Sequence, residues 1–267
     1  MKRVAIALLA GVAAVAGLGY SASAADLGVR AAPPAPPAPS WTGFYIGVHA
    51  GGAWQSTSTW TLSDPGVPGL LAPTNVPGSA EWGAVGGIQG GYNWQFAPAW
   101  VVGVEGDISW ASLSDHRAFG PLVNAVGAVG VGTNVSMDIN TNWLSSARAK
   151  LGFTGWLNNT MIYATAGGAW ANFEYNAQTT LGPPAVAGVF TAPSSFTTTK
   201  SGWVVGGGAE WMATTNILLR AEYLYYGINT SATSNTVFFP PLPGTLPTYT
   251  WGRENIQVFR IAGSYKF

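Results

Sequence analysis

Hydrophobic and polar side chains alternate along several segments of this 267-residue chain, and the last segment shows the pattern best. From Phe259 to Phe267 the odd positions are Phe, Ile, Gly, Tyr and Phe, whereas the even positions are Arg, Ala, Ser and Lys. Successive side chains of a β-strand point to opposite faces. The segment therefore predicts a strand with one apolar, aromatic face and one polar face that carries two positive charges.

Seven earlier segments predict further strands. They cover residues 41–54, 81–95, 100–110, 137–154, 160–175, 201–212 and 216–227, and the eighth strand closes the chain. In the fourth of these strands, one face carries Trp143, Ala147, Ala149, Leu151 and Phe153, and the other carries Asn142, Ser146, Arg148, Lys150 and Thr154. The alternation within 160–175 is too irregular to assign the two faces of the fifth strand.

The connections between these strands are alternately long and short. The long ones, 55–80, 111–136, 176–200 and 228–252, are rich in Ser, Thr, Pro and Gly, so we expect exposed, mobile loops. An even number of strands joined by short periplasmic turns and long extracellular loops is typical of a transmembrane β-barrel. We therefore predict an all-β fold, an eight-stranded antiparallel transmembrane β-barrel over residues 41–267.

Composition separates this fold from a soluble β-sandwich. Only 8% of the residues are charged, against about 25% in an ordinary soluble domain, and the chain contains 13 Trp and 10 Tyr. Strands of a sandwich also alternate, but their outer face is polar. Here the charged face is expected to be the inner one, and Trp residues near the strand ends suit the aromatic girdles of an outer-membrane barrel.

The N-terminal segment has the pattern of a secretion signal. Lys2 and Arg3 precede an uncharged apolar run, and the small residues 22–24 suit a cleavage site, so residues 1–24 are predicted to be a signal peptide. Residues 25–40, with the run AAPPAPPAP, are predicted to be a Pro-rich periplasmic tether. The chain has no cysteine, which excludes a lipoprotein anchor, a disulfide framework and a thiolate metal site.

Charge also limits the partners. Loss of Lys2 and Arg3 leaves nine basic and eleven acidic residues, a net charge of about −2. Nucleic-acid binding needs a basic surface, so we expect no nucleic-acid partner.

Several segments together resemble a known family: the opening WTGFYIGVHAGG, GGIQGGYNWQ, WVVGVEGDISW, RAEYLYYG and the terminal RIAGSYKF. The chain is similar to the small outer-membrane β-barrel proteins of α-proteobacteria, known as porin-family or opacity-like surface proteins, whose barrel is similar to the transmembrane domain of OmpA. The resemblance implies location in the cell outer membrane of a Gram-negative bacterium. Members of that family are mostly described as surface structural proteins, and some as haem binders or host-contact factors.

Charged residues are predicted to meet inside the barrel. The inward-facing set is Glu105, Asp107, Arg148, Lys150, Glu210, Arg220, Glu222 and Arg260. An eight-stranded barrel has room for little more than its own side chains, and a buried charge without a partner is costly. Mixed signs on neighbouring strands therefore favour a closed ionic network over a selectivity ring, which would favour one sign.

Catalysis has little support in the sequence. The chain has two histidines, His49 and His116, and the eight-stranded enzymes that modify lipid A work with a His and a Ser or Asp. We read His49 as a polar lumen residue and His116 as a solvated loop residue, and we predict no enzyme activity, no cofactor and no metal. A haem axial ligand needs only one histidine, so haem binding stays open.

These patterns predict an outer-membrane surface protein with a structural, envelope-integrity role and exposed loops. The alternative is a small diffusion porin or a surface ligand receptor, haem included. The expected partners are outer-membrane lipids and lipopolysaccharide, the barrel-assembly machinery, and a host or environmental ligand at the loops. Tyr265 and Phe267 are predicted to form the C-terminal barrel-assembly signal.

Overall fold

A computed structural model describes most of the chain after the predicted tether. The described residues are 40–57, 60–63, 74–76, 80–119, 122–123, 129–130, 134–157, 159–182, 188–241 and 246–267. The predicted signal peptide and residues 25–39 of the tether lie outside this part. Within it, no helix has the length and apolar character needed to cross a membrane.

The described residues form fourteen strands. They are β1 (Gly43–Thr57), β2 (Trp60–Ser63), β3 (Thr74–Val76), β4 (Ala80–Ala97), β5 (Trp100–Phe119), β6 (Leu122–Val123), β7 (Val129–Gly130), β8 (Asn134–Leu157), β9 (Thr160–Leu181), β10 (Phe190–Met212), β11 (Ile217–Ile228), β12 (Ala232–Asn235), β13 (Thr248–Trp251) and β14 (Glu254–Lys266). Eight of them close a barrel in the order β1-β14-β11-β10-β9-β8-β5-β4, and every neighbouring pair is antiparallel. The predicted fold class, an eight-stranded antiparallel barrel, is confirmed.

The barrel is apolar outside and charged inside at mid-membrane level, and a smaller buried apolar cluster that includes Met161 lies nearer the chain ends. Ile261 and Phe259 on β14 are 62% and 51% exposed, whereas Arg148 and Glu222 are 3% and 1% exposed. A water-soluble domain would bury the first pair and expose the second. The apolar exterior is the surface that a bilayer covers.

Short turns and the two ends of the barrel chain lie at one end of the cylinder. The amide of Phe267 donates a 2.9 Å hydrogen bond to the carbonyl of Phe44, which ties the end of β14 to the start of β1. Between β8 and β9, Asn159 adopts φ of 58°, a conformation that asparagine tolerates better than most residues. This end is the periplasmic one, because outer-membrane barrels keep their short turns there.

The barrel wall has unequal heights. Strands β5, β8, β9 and β10 are 20, 24, 22 and 23 residues long, whereas β11 and β14 have 12 and 13. A tilted strand crosses a bilayer in about 9–11 residues, so the four long strands continue well beyond the membrane on the extracellular side. The prediction that 111–136 and 176–200 are loops was wrong in part, because β5, β8, β9 and β10 extend into them.

The polarity of the wall reverses along the long strands. On β9 the inward residues near the periplasmic end include Thr165, and those near the other end include Phe173 and Tyr175, both fully buried. The outward residues change from Ile162 and Trp170 to Asn, Glu, Gln and Thr beyond Trp170. The outer face of β9 is therefore apolar within the membrane and polar above it, while its inner face changes from a mixture of Met161, Tyr163 and Thr165 to the aromatic residues Phe173 and Tyr175.

The extracellular half of the lumen holds a second, small sheet. Strands β12, β13, β2 and β3 pair antiparallel in that order. Side chains of β2 and β13, together with Phe238, join the extended wall in one apolar core. Its fully buried members include Trp60, Leu62, Phe238, Tyr249 and Trp251. We call this four-stranded sheet, together with Phe238, the cap. The expectation of mobile, exposed loops over 55–80 and 228–252 was wrong for the cap residues.

A β-bulge in β8 changes which residues face inward. The register shifts between Thr141 and Trp143, so buried residues are odd-numbered up to Thr141 and even-numbered from Leu144 to Gly152. Asn142 lies at the shift and is exposed, where it donates a 3.1 Å hydrogen bond to Asn172 Oδ1. The prediction that Asn142 faces the lumen was wrong for this reason. A bulge places an extra residue in one strand and breaks the period of two.

Candidate functional site

All eight predicted interior charges lie in one cluster at the membrane level of the lumen. They comprise four carboxylates and four cations: Glu105, Asp107, Glu210, Glu222, Arg148, Lys150, Arg220 and Arg260. Each residue is at most 6% exposed. The formal charge of the cluster is therefore zero when every member is ionised. We call it the ionic plug.

Two arginines hold the half of the plug nearer the cap. Arg148 Nη1 donates to Glu222 at 2.9 Å, and its Nη2 donates to Asp107 at 3.1 Å and also to Glu105. Arg260 donates to the same Asp107 and Glu222, at 3.1 and 2.8 Å. Because β5, β8, β11 and β14 carry these residues, the contacts cross the lumen as well as following the wall.

Arg220 and Lys150 hold the periplasmic half of the plug. Arg220 donates to Glu105 at 2.5 Å and, through Nε, to Glu210 at 2.8 Å, and Lys150 lies 3.3 Å from Glu210. Strands β11 and β5 are diametrically opposite in the barrel order, so the Arg220–Glu105 contact spans the full width.

Two tyrosines complete the periplasmic half. The Tyr45 hydroxyl donates to Glu105 at 2.6 Å, and that of Tyr163 donates to Glu222 at 2.8 Å. Lys150 Nζ lies 5.0 Å from the centre of each ring, which is within the range of a cation–π contact. Both rings are 3–4% exposed and leave little free cross-section at this level.

Glycines facing the lumen make room for these large side chains. A Cβ on Gly91 would lie 2.5 Å from the Tyr45 hydroxyl oxygen, and one on Gly208 would lie 2.9 Å from that of Tyr163. Both distances are shorter than van der Waals contact. The glycine-rich composition of the strands therefore serves lumen filling at these two positions.

Sequence reasoning anticipated the neighbours along the wall but missed the contacts across it. Glu105 and Arg148 are direct register partners, as are Glu210 with Arg220 and Glu222 with Arg260. Cross-lumen distances depend on barrel closure, which alternation within a strand does not encode. Tyr45 and Tyr163 were missed, although each lies on the inward face of its strand, and that position was the available signal.

His49 lies at the edge of the ionic plug. Its Nε2 is 2.8 Å from Ser109 Oγ and 3.3 Å from Arg260 Nη1. A serine and a histidine at this distance resemble a nucleophile and its base. However, both side chains are buried, and the Nε2 lone pair that a base would use faces a guanidinium that is always protonated.

His116 lies on the opposite side of the wall from the lumen. It is on β5 rather than in a loop, its side chain is 65% exposed, and its Nδ1 contacts Asp138 on β8. The two histidines therefore cannot bind one ligand together. Among the residues that the structure describes, no group of three or more His, Asp or Glu side chains is arranged to hold a metal ion.

The cap and the wall around it have their own buried polar contacts. Asp115 and Arg117 pair at 2.6 Å inside the extended wall, and the Arg117 guanidinium stacks 3.8 Å from the Trp60 ring centre. The Tyr249 hydroxyl donates to the carbonyl of Ala192 at 2.6 Å and lies 2.9 Å from Thr179 Oγ1. Burial raises the pKa of Tyr249 to about 12, because the phenolate would be desolvated.

The proposed assembly signal lies at the periplasmic rim. Tyr265 and Phe267 face outward, are 52% and 72% exposed, and pack edge to face with ring centres 5.2 Å apart. Their role in recognition by the barrel-assembly machinery stays a prediction.

Comparison with known proteins agrees with this architecture. The sequence matches the family described as outer membrane protein beta-barrel domain over residues 10–252. It is 34% identical over 227 residues to the 31 kDa outer-membrane immunogenic protein of Brucella melitensis biotype 1, covering 82% of this chain and 85% of that protein. It is 30% identical over 192 residues to a 22 kDa outer membrane protein of Rhizobium leguminosarum bv. viciae, covering 72% and 66% of the two chains.

Among solved structures, the outer membrane protein OprG of Pseudomonas aeruginosa is similar with a TM-score of 0.43 and 13% identity, covering 85% of this chain and 96% of that one. The family match spans most of the chain, and the relatives are outer-membrane proteins. The chain therefore belongs to the outer-membrane protein β-barrel domain family and is a surface protein of the Gram-negative cell outer membrane.

Proposed function

We propose that this protein is a closed, non-conducting structural barrel that supports the outer membrane and presents a folded extracellular cap. The observation that carries the proposal is the double filling of the lumen. The ionic plug crosses the barrel at membrane level, and the apolar core of the cap fills the extracellular half. A solute would have to displace both layers.

The charge pattern favours this role over the alternative, a small diffusion porin. A selective pore needs charges of one sign whose ion-binding groups face water. Here four acids and four bases pair with one another, and their side chains are at most 3% exposed. Breaking such pairs to admit an ion would leave buried charges without partners, which costs several kcal/mol.

Planar-bilayer recording of the refolded mature protein tests this role. We expect no discrete conductance steps from the wild-type protein over long recordings at high salt. The matched variant is Arg220→Ala, which removes the contact across the full width of the lumen and should produce transient openings. Stable, uniform channels from the wild-type protein would contradict the proposal and favour the porin alternative.

We propose further that the barrel has no lipid A-modifying activity. The support is the buried position of His49 and Ser109 and the contact of His49 with Arg260. Mass spectrometry of lipid A from cells with and without the protein tests this directly. A mass change that disappears in the Ser109→Ala variant would refute it.

The extracellular cap and the extended wall are the parts that other cells would meet. The relatives from Brucella are named immunogenic outer-membrane proteins. We propose that this protein is likewise a surface antigen. Antibodies raised against the folded protein should label intact cells, and labelling only after permeabilisation would contradict this.

A further inference from the structure

The outer face of the four long strands changes character at a row of tryptophans. Trp110, Trp143, Trp170 and Trp203 lie on β5, β8, β9 and β10, one on each strand, and three of them are 42–63% exposed. Trp110 and Trp143 are direct register partners. Exposed aromatic residues in such a row mark the membrane–water interface of an outer-membrane barrel.

Beyond this row the outward residues of segments 112–118, 134–142, 172–180 and 191–201 form one continuous surface, which we call the polar wall. Apart from Ala118 and Pro193, its residues are Asn, Gln, Ser, Thr, Asp, Glu and His. Its ionisable groups are Asp138, Glu174 and His116, and it contains no Lys, no Arg and no aromatic residue.

Strand register arranges these side chains in rows across the wall. Ser114, Asn140, Glu174 and Thr197 are successive register partners on β5, β8, β9 and β10. In a neighbouring row, Asn172 Nδ2 donates to Thr199 Oγ1 at 3.3 Å. The apolar core of the cap packs against the inner face of the same strands, so the outer face has a rigid support.

The polar wall is unusual for a surface that meets only water. Exposed surfaces of soluble domains typically carry about 25–35% charged residues of both signs. Here amides and hydroxyls predominate, and each of them can donate and accept hydrogen bonds. Neutral groups of this kind match the hydroxyls of a sugar, whereas a surface for phosphates would carry Arg or Lys.

The position of the wall indicates where such sugars come from. It begins at the tryptophan row and continues for nine residues along β8, from Trp143 to Asn134, which is about 30 Å at 3.3 Å per residue. The layer immediately above the outer interface of this membrane is the oligosaccharide of lipopolysaccharide. We propose that the polar wall binds the core oligosaccharide of the surrounding lipopolysaccharide, and that it does so through neutral hydrogen bonds rather than phosphate pairing.

A heat-conversion experiment on the mature protein tests this. The refolded protein is incubated with full-length lipopolysaccharide, with lipid A alone, or with lipid-free core oligosaccharide, and the temperature at which the folded gel band disappears is measured. A bound ligand raises that temperature because it stabilises only the folded state. We expect full-length lipopolysaccharide to raise it by several degrees more than lipid A does.

The triple variant Asn140→Ala/Glu174→Ala/Thr197→Ala removes one row of the wall. In this variant, full-length lipopolysaccharide should raise the temperature at which the folded band disappears hardly more than lipid A does. The rise caused by lipid A itself should stay unchanged. Thr215→Ala, in the exposed periplasmic turn, is the matched control and should keep both increments. Equal increments from lipopolysaccharide and lipid A in the wild type, or an unchanged sugar increment in the triple variant, would overturn the proposal.

A second measurement does not depend on the triple variant. The chain has no cysteine, so Thr197→Cys can carry a single spin label on the wall. Its mobility should fall in vesicles of full-length lipopolysaccharide relative to lipid A vesicles, and equal mobility would count against the inference. A similar effect from lipid-free core oligosaccharide added to lipid A vesicles would support recognition of the sugars themselves. None of these results depends on whether the barrel conducts.

Discussion

The membrane half and the extracellular half of this barrel have opposite polarity on the same strands. In the membrane half, Arg148 lies inside while Leu151 is 50% exposed outside; in the extracellular half, Ile139 is buried inside while Asn142 is exposed. All four residues are on β8. The comparison shows that alternation defines two faces, but the surrounding medium decides which face is apolar.

The largest effect is expected from breaking the membrane half. Arg148→Ala removes contacts to three carboxylates, Glu105, Asp107 and Glu222, and leaves them buried beside fewer cations. Loss of one partner from a buried charge network costs about 3–5 kcal/mol. Urea unfolding in detergent measures this. The double variant Arg148→Ala/Glu105→Gln restores charge balance and should recover part of the loss, and equal stability of the single variant and wild type would refute the ionic plug.

A smaller and more local effect is expected in the extracellular half. Trp251 is fully buried and its ring contacts those of Tyr175, Phe196 and Tyr249. Trp251→Ala should destabilise the cap by about 3 kcal/mol. Limited proteolysis should then cleave between residues 230 and 251, while the gel shift of the folded barrel persists.

Trp203→Ala is the control for that experiment, because Trp203 is 51% exposed in the tryptophan row and does not belong to the core of the cap. It should leave cleavage of the cap unchanged. Loss of the folded gel band in Trp251→Ala would show that the two halves unfold together, against the separation described here.

The difference between the two halves can be tested by introducing arginine at two positions on the outer face of β9. Ala166 and Gln178 both face outward, the first below the tryptophan row and the second above it. Ala166→Arg should cost about 2–4 kcal/mol, because the cation enters hydrocarbon. Gln178→Arg should change stability by less than about 0.5 kcal/mol, as for an ordinary surface position. Folding yield into lipid vesicles measures both, and equal yields would place the membrane boundary elsewhere.

The sequence was sufficient for the barrel and for the faces of most membrane segments. Strand β14 shows why, because Phe259 and Ile261 alternate with Arg260. When lipid surrounds a closed barrel, the apolar residues must face outward, and the charged residue must therefore face the lumen. The register partners Glu105 and Arg148 follow from the same reasoning, since they lie on inward faces of neighbouring strands.

The fifth strand could not be assigned for a physical reason that the structure supplies. Its inward positions run from Tyr163 and Thr165 to Phe173 and Tyr175, so no single face is apolar throughout. The outward residues change from apolar to polar at Trp170, because the strand passes from lipid to water there. In the sequence this change resembles irregular alternation.

The cap was missed because its strands are short and its composition is that of a loop. Strands β2 and β13 have four residues each, and Ser, Thr and Pro surround them. Such segments become strands only when a tall wall encloses them, and the height of the wall was itself underestimated. Tertiary context therefore decided what local preference could not.

The extra residue between Thr141 and Trp143 reverses which sequence positions of β8 face inward. After it in the chain, the even-numbered residues face the lumen, and before it the odd-numbered residues face the core. Loss of Asn142 would place Thr141 directly before Trp143 and restore strict alternation, so Val135, Met137 and Ile139 would still face the core and Arg148 the lumen. Deletion of this one residue is therefore expected to be tolerated, which predicts that some related chains lack it and have a regular strand at this point.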